Sequence, residues 1–172
     1  MDALPNAFAA ESARYLREVY PPRLERALAT LPPGDLWWSP HPECLSVGTI
    51  LRHLEGNVRQ WILSGLAGAP DSRDRAAEFA SPEHPDAAPL LGRLRATLET
   101  AAAHVASMDA AALARAHTIQ GFATTGQDAV YHVVEHVSWH TGQAVWIAKA
   151  RAGAGHGLSF FDDAKVNAAR NE

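Results

Sequence analysis

The stretch from Thr125 to Gly153, TGQDAVYHVVEHVSWHTGQAVWIAKARAG, constrains this chain more than any other. Thr125 followed three residues later by Asp128 is a pattern that satisfies free amide protons in a first helical turn. Lys149 and Arg151 suit the negative pole of a helix, and Gly153 can adopt the left-handed conformation that ends one. No proline interrupts the stretch, and apolar residues fall on nearly every side. A helix that is apolar all round is expected to be buried all round.

Into this helix the sequence places His132, His136 and His140. Residues four apart rotate by only about 40° around a helix, so the three imidazoles form one short stripe. His136 and His140 are one turn apart, which lets both rings reach a single cation, the geometry zinc motifs use. The motif here is His-Val-Ser-Trp-His and lacks the glutamate of H-E-x-x-H peptidases, so water activation of that type is not supported. The alternative reading is a pair of hydrogen-bonded core histidines. One helix cannot close a tetrahedral site, so metal binding requires a further ligand from elsewhere.

The chain has 172 residues, a length suited to one domain (1–172) with a sizeable core. Net charge is −4 with no long basic run, which argues against a nucleic-acid surface. A single cysteine, Cys44, excludes an intrachain disulfide and fits a cytoplasmic location. Its residue type reads as a small buried position rather than a reactive thiol. The first residues carry acidic groups and no uninterrupted apolar run, unlike a signal peptide. No stretch approaches the ~20 apolar residues of a membrane span.

The chain in order predicts four long helices. Asn6 to Leu31 keeps a helical apolar rhythm in phase across Pro21 and Pro22, which predicts one kinked helix. Asp35 to Leu45 is a proline-punctuated connection in which Trp37 and Trp38 pack a loop onto the bundle and His41 is exposed. Ser46 to Ser64 is the second helix, closed by Gly65, with His53 and Asn57 four apart on the flank of its apolar stripe. A helix in a four-helix bundle touches two neighbours, so this flank can still face the interior; the alternative is that His53 sits at a boundary and meets water. Gly65 to Pro85 is a long loop that is either a salt-bridged rim (Asp71, Arg73, Asp74, Arg75, Glu78) or, on composition, a solvated charged segment. Asp86 to Met108 is the third helix, with His104 beside its apolar face. Ala110 to Thr124 reads as an irregular, extended connection, and Ala154 to Glu172 as a tail. In that tail Leu158, Phe160 and Phe161 tuck onto the bundle and the last ten residues fray. With no convincing strand run, the fold class is all-α, a four-helix bundle whose long connections do not require up-down-up-down topology.

Two segments carry a resemblance to a known family. LRHLEGNVRQWILSGL supplies a histidine in the second helix, and HVSWHTGQAVWIAKA supplies H-x-x-x-H followed closely by Gly-Gln. In these the chain resembles the DinB-like superfamily of metalloenzymes, four-helix bundles that include bacillithiol and mycothiol S-transferases. The loop DSRDRAAEF is similar to an uncharacterised branch of it. The resemblance runs over roughly Asn6 to Gly153 and implies His53, His136 and His140 as metal ligands. His132 is then an additional pocket or core histidine. Three imidazoles leave coordination positions open, and such a site suits zinc or nickel. Asn57 and Gln143 stand one turn from His53 and from His140, where each orients a ligand or instead bonds helix to helix.

The resemblance implies a metal-dependent transferase acting on a low-molecular-weight thiol and an electrophile, since a divalent cation lowers the pKa of a bound thiol or water. The alternatives are a non-catalytic metal- or small-ligand-binding bundle for sensing or sequestration, and a bundle that binds no metal. There is no Ser-His-Asp arrangement, no phosphate-cradling glycine loop and no E-x-x-H carboxylate set of a di-iron bundle. Relatives of this kind form homodimers through bundle faces, for which Trp37, Trp38 and Trp61 are candidates when they do not fill the core.

Overall fold

A computed structural model of the chain describes residues 3–80 and 83–168. Four long helical segments form the bundle. The first is α1 (Ala3–Arg14), a wide π-helical turn (Tyr15–Val19) and α2 (Tyr20–Thr30), continuous in direction. The kink expected at Pro21-Pro22 is this wide turn, in which Tyr20 N–H bonds Tyr15 C=O rather than the carbonyl four residues back. Two successive prolines cannot donate, and their rings crowd the carbonyls of the preceding turn, so the helix widens before them. The second is α3 (Val47–Val58), running on into a π-helical segment, Arg59–Ser64, that ends at Gly65. Ser46 caps it, accepting from Thr49 N–H at 3.1 Å.

The charged loop departs from expectation. It contains a short helix, α4 (Arg75–Ala80), and of its two readings the salt-bridged one holds at Arg73–Glu78, whose side chains are 3% and 9% exposed, while Asp71, Asp74 and Arg75 face solvent. The third long helix is α5 (Ala87–Ala106). Between it and the fourth lie α6 (Ala110–Ala114) and a small antiparallel hairpin, β1 (Ala116–Ile119) paired with β2 (Phe122–Thr125), where an irregular connection was expected. Gln120 and Gly121, both at positive φ, make its two-residue turn, and Ile119 drops into the core beside Gly65.

The fourth long helix is α7 (Gly126–Ala152), with the predicted ends. Thr125 Oγ1 accepts from Asp128 N–H at 3.1 Å, and Gly153 takes φ 75°. It is not buried all round, because Tyr131, Trp139 and Trp146 are more than 60% exposed. Three large apolar residues on the outer face had made an amphipathic helix look apolar on every side. Of the tail, Leu158 is buried and Phe160 packs against it with Ala27 and Ala148, whereas Phe161 is exposed. A short helix, α8 (Asp163–Ala168), occupies part of the segment expected to fray, and residues 169–172 lie outside the described residues.

Packing determines which helices can share a site. The first helical segment packs on α5 and α7, and α3 also packs on α5 and α7. The first and second long segments therefore sit across the bundle from one another, as do the third and fourth, while the second and third are neighbours; the long connections permit this. Leu16, Leu24, Ile50, Leu54, Val58, Leu94, Leu98, Val133 and Val137 meet at the centre, fully buried. Truncating one such leucine to alanine costs about 2–5 kcal/mol. The side-by-side placement of α3 and α7 brings His53 opposite the histidine stripe. Trp37 closes the α3 end: its indole faces Gly48, where a Cβ would lie 2.7 Å from the ring, and it stacks on His84. Trp38 lies under the Arg151 guanidinium, so both tryptophans pin the loop as expected. Cys44 is exposed, contrary to expectation, because the 39–45 segment runs over the surface. No helix among the described residues is long and apolar enough to cross a membrane.

Candidate metal centre

Three side chains from two helices meet between α3 and α7. One ring nitrogen from each of His53, His136 and His140 lies within 4.8 Å of the others, a group that could hold a metal ion. The ring centroids are 4.6–5.1 Å apart in T-shaped arrangements. His53 Nε2 and His136 Nε2 stand 2.9 Å apart. His53 and His140 are buried and His136 half-buried. Of the two options for His53 the interior one holds, since α7 and α4 cover its flank and it does not sit at a boundary meeting water.

Each outer ring has a partner behind it. His140 Nδ1–H donates to Gln143 Oε1 at 2.7 Å, one turn along the same helix. His53 Nδ1 lies 2.9 Å from Glu78 Oε2. Glu78 is in turn bound at both oxygens by Arg73, at 2.7 and 2.9 Å. Arg73 Nη1 donates to Gln60 Oε1 and Gln60 Nε2 to Asp71 Oδ2, at 2.9 and 2.8 Å, so the loop is stitched to the second helix. The α4 helix also lays Phe79 beside the His53 ring, centroids 5.0 Å apart. Sequence reasoning missed Arg73 and Glu78 as neighbours of the site, because the charges of the loop DSRDRAAEF give no sign of depth.

His132 is outside the trio. Its Nε2 accepts from Asn57 Nδ2 at 3.4 Å, and its ring packs on Trp61 at 4.1 Å and along His136 at 5.4 Å. Asn57 thus reaches His132 rather than a ring of the trio. Its Oδ1, and the Oγ1 of Thr141, the residue after His140, are buried with no hydrogen-bond partner among the described residues.

The electrostatics suit a cation. Burial, then repulsion from His140 and His53, pushes His136 down to about 3. Burial also lowers His140, against the opposing pull of Gln143. At neutral pH both are neutral imidazoles with lone pairs to give, the form a metal requires. Burial alone would raise Glu78, but hydrogen bonds from Arg73 and His53 overcome it and hold the carboxyl below its ordinary range. The donor set is three nitrogens with Nδ1 engaged on two of them. These residues fit a borderline divalent ion with positions to spare.

Neither the curated proteins nor the solved structures contain a match to this chain. Residues 8–157, which include the whole trio and the charged loop, match the family described as "Protein of unknown function (DUF1572)", and the chain belongs to that family.

Proposed function

We propose that the protein is a divalent-metal enzyme in which His53, His136 and His140 hold zinc or nickel, and that it transfers a low-molecular-weight thiol to a small electrophile. The observation that carries this reading is the convergence of three ring nitrogens within 4.8 Å from two separate helices. The resemblance to DinB-like S-transferases supplies the thiol chemistry. A divalent ion bound there lowers the pKa of a thiol or water beside it, so that the nucleophile is anionic at neutral pH.

The chain's own residues do the rest. His136 and His140 stay neutral because burial opposes their protonation. Gln143 keeps Nδ1 of His140 occupied and so directs its Nε2 inward. Phe79 shields the His53 ring from bulk water.

The burial of His53 and His140 also favours a second reading, a closed, non-catalytic metal-binding bundle. Cobalt(II) substitution separates the two: an open site changes its visible spectrum when thiol is added, and a closed one does not. The metal itself is tested by elemental analysis of untagged protein. About one ion per chain is expected, lost in both His136→Ala and His140→Ala. Metal retained at full content by both variants overturns the assigned ligands.

A further inference from the structure

We propose that Glu78 is the positioning residue of this centre: gripped by Arg73 and seated in the notch that Gly56 leaves on α3, its carboxylate fixes His53 as the Nδ1–H tautomer and so keeps Nε2 toward His136 and His140. The part concerning metal affinity rests on the metal reading above; the tautomer does not.

Three independent observations carry it. The first is the hydrogen bond itself. Glu78 Oε2 stands 2.9 Å from His53 Nδ1, while Arg73 Nη2 stands 3.3 Å from the same nitrogen. A guanidinium only donates, so Arg73 could use Nδ1 only if that nitrogen carried a lone pair. That lone pair would then face an ionised carboxylate at 2.9 Å, a repulsive arrangement. The shorter, charge-assisted contact therefore decides the tautomer: Nδ1 carries the proton and Nε2 the lone pair. The 2.9 Å separation of His53 Nε2 from His136 Nε2 shows where that lone pair points.

The second is the way Glu78 is held. Both carboxylate oxygens are bound by Arg73 in a fork, and both side chains are buried. A fork fixes the carboxylate plane as well as its position. Arg73 neutralises Glu78, so the pair supplies orientation to His53 without placing an uncompensated charge beside a cation.

The third is Gly56. It lies in the interior of α3, where alanine is the better residue. A Cβ there would lie 2.8 Å from Glu78 Cδ and closer still to Oε1, with Arg73 Nε at 3.1 Å. Among these neighbours the carboxylate is the free end of a side chain and would yield. Yielding takes it off His53. The glycine is thus explained by the carboxylate that fills its place, and α3 supplies both the histidine and the seat for that histidine's partner.

The arrangement also assigns a use to the DSRDRAAEF loop. Asp71 tethers the loop to Gln60, Arg73 grips, Glu78 bonds the ring and Phe79 covers it. A hydrogen bond from the second ring nitrogen to a carboxylate raises ligand basicity, and loss of such a partner typically lowers metal affinity about 10–100-fold.

The test uses Glu78→Ala, Glu78→Gln and Gly56→Ala in the full chain, with two readouts. Long-range 15N–1H correlation on metal-free protein reports the His53 tautomer. Competition with a chromophoric chelator reports affinity for zinc. Wild type is expected to show His53 protonated at Nδ1. Glu78→Ala and Gly56→Ala should lose the fixed tautomer and bind zinc about 10–100-fold more weakly, although Gly56→Ala removes no polar group. Glu78→Gln should retain the tautomer, because its amide oxygen still accepts, and recover most of the affinity. A purely structural role would lower the thermal midpoint without moving the tautomer. Should Glu78→Ala not fold, Gly56→Ala and Glu78→Gln carry the same contrast. The proposal is overturned if His53 stays protonated at Nδ1 with wild-type zinc affinity in Gly56→Ala or Glu78→Ala, or if wild type carries the proton on Nε2. Wild type that binds no zinc overturns the metal reading alone, and the tautomer experiment still decides the role of Glu78.

Discussion

His53 and His140 face the same small space, yet their far nitrogens are held in opposite ways. His140 is served by a neutral amide three residues along its own helix, a partner present whenever that turn of α7 forms. His53 is served by a carboxylate 25 residues away, which reaches it only when the loop docks and Arg73 closes on it. The first arrangement is local and needs little beyond helix formation. The second depends on tertiary structure and on burying a charged pair, which is tolerated only when its geometry is complete. One side of the site is therefore inherited from secondary structure, and the other is conditional on a loop.

This contrast can be broken most severely at Arg73. Arg73→Ala leaves Glu78 buried and half-satisfied, and loss of one partner from such a pair costs about 3–5 kcal/mol. Urea denaturation of the metal-free protein should show it. A cost below about 1 kcal/mol, the range of exposed pairs, would mean the pair is solvated and the two sides are alike.

Acid comes next in expected size and separates the sides by pH. His136 and His140 have depressed values in the folded protein, so the unfolded chain binds their protons more readily. Stability of the metal-free protein should fall as pH drops below the ordinary 6.5, and the contribution of His136 should be exhausted near its folded value of about 3. Glu78 is also depressed, from 4.5, so its contribution is complete above that value and is lost only as pH falls through the lower folded one. The histidine side should loosen first and the carboxylate side later. Denaturation midpoints that do not change between pH 7 and 5 would contradict the burial assigned to these rings.

The smallest effect is expected at Gln143. Gln143→Ala removes one neutral, partly buried hydrogen bond, worth about 1 kcal/mol. Its effect on zinc affinity should be smaller than that of Glu78→Ala, because no charge is involved. If the two variants weaken zinc equally, the local amide and the distant carboxylate are equivalent supports and the comparison fails.

The sequence made the helix-borne part of this site legible. Periodicity and capping residues located α7 to within a residue, because Thr125, Asp128 and Gly153 act through neighbours three or four positions away. The i, i+4 spacing of His136 and His140 is likewise local. His53 needed the resemblance, since nothing in its own surroundings says that α7 and α4 will cover it. Arg73 and Glu78 were the least legible. A run of Asp, Arg and Glu has one composition whether it meets water or enters a protein, and its depth is set by what docks over it. Gly56 is the residue that hints at this, as a glycine inside an otherwise good helix asks for a close neighbour. The outer face of α7 misled in the other direction, because Trp139 and Trp146 have a core composition and a surface position. The hairpin before α7 escaped because each strand is only four residues long.

Trp61 lies against the His132 ring in a nearly dry setting, while Trp139 and Trp146 stand in solvent. Indole fluorescence shifts to shorter wavelength in such surroundings and is quenched by an adjacent imidazolium. The blue edge of the intrinsic emission therefore includes a chromophore one ring removed from His136, together with the half-buried Trp37 and Trp38. The protein carries its own optical gauge of that corner, and titrations with protons or metal salts can be followed there without any label.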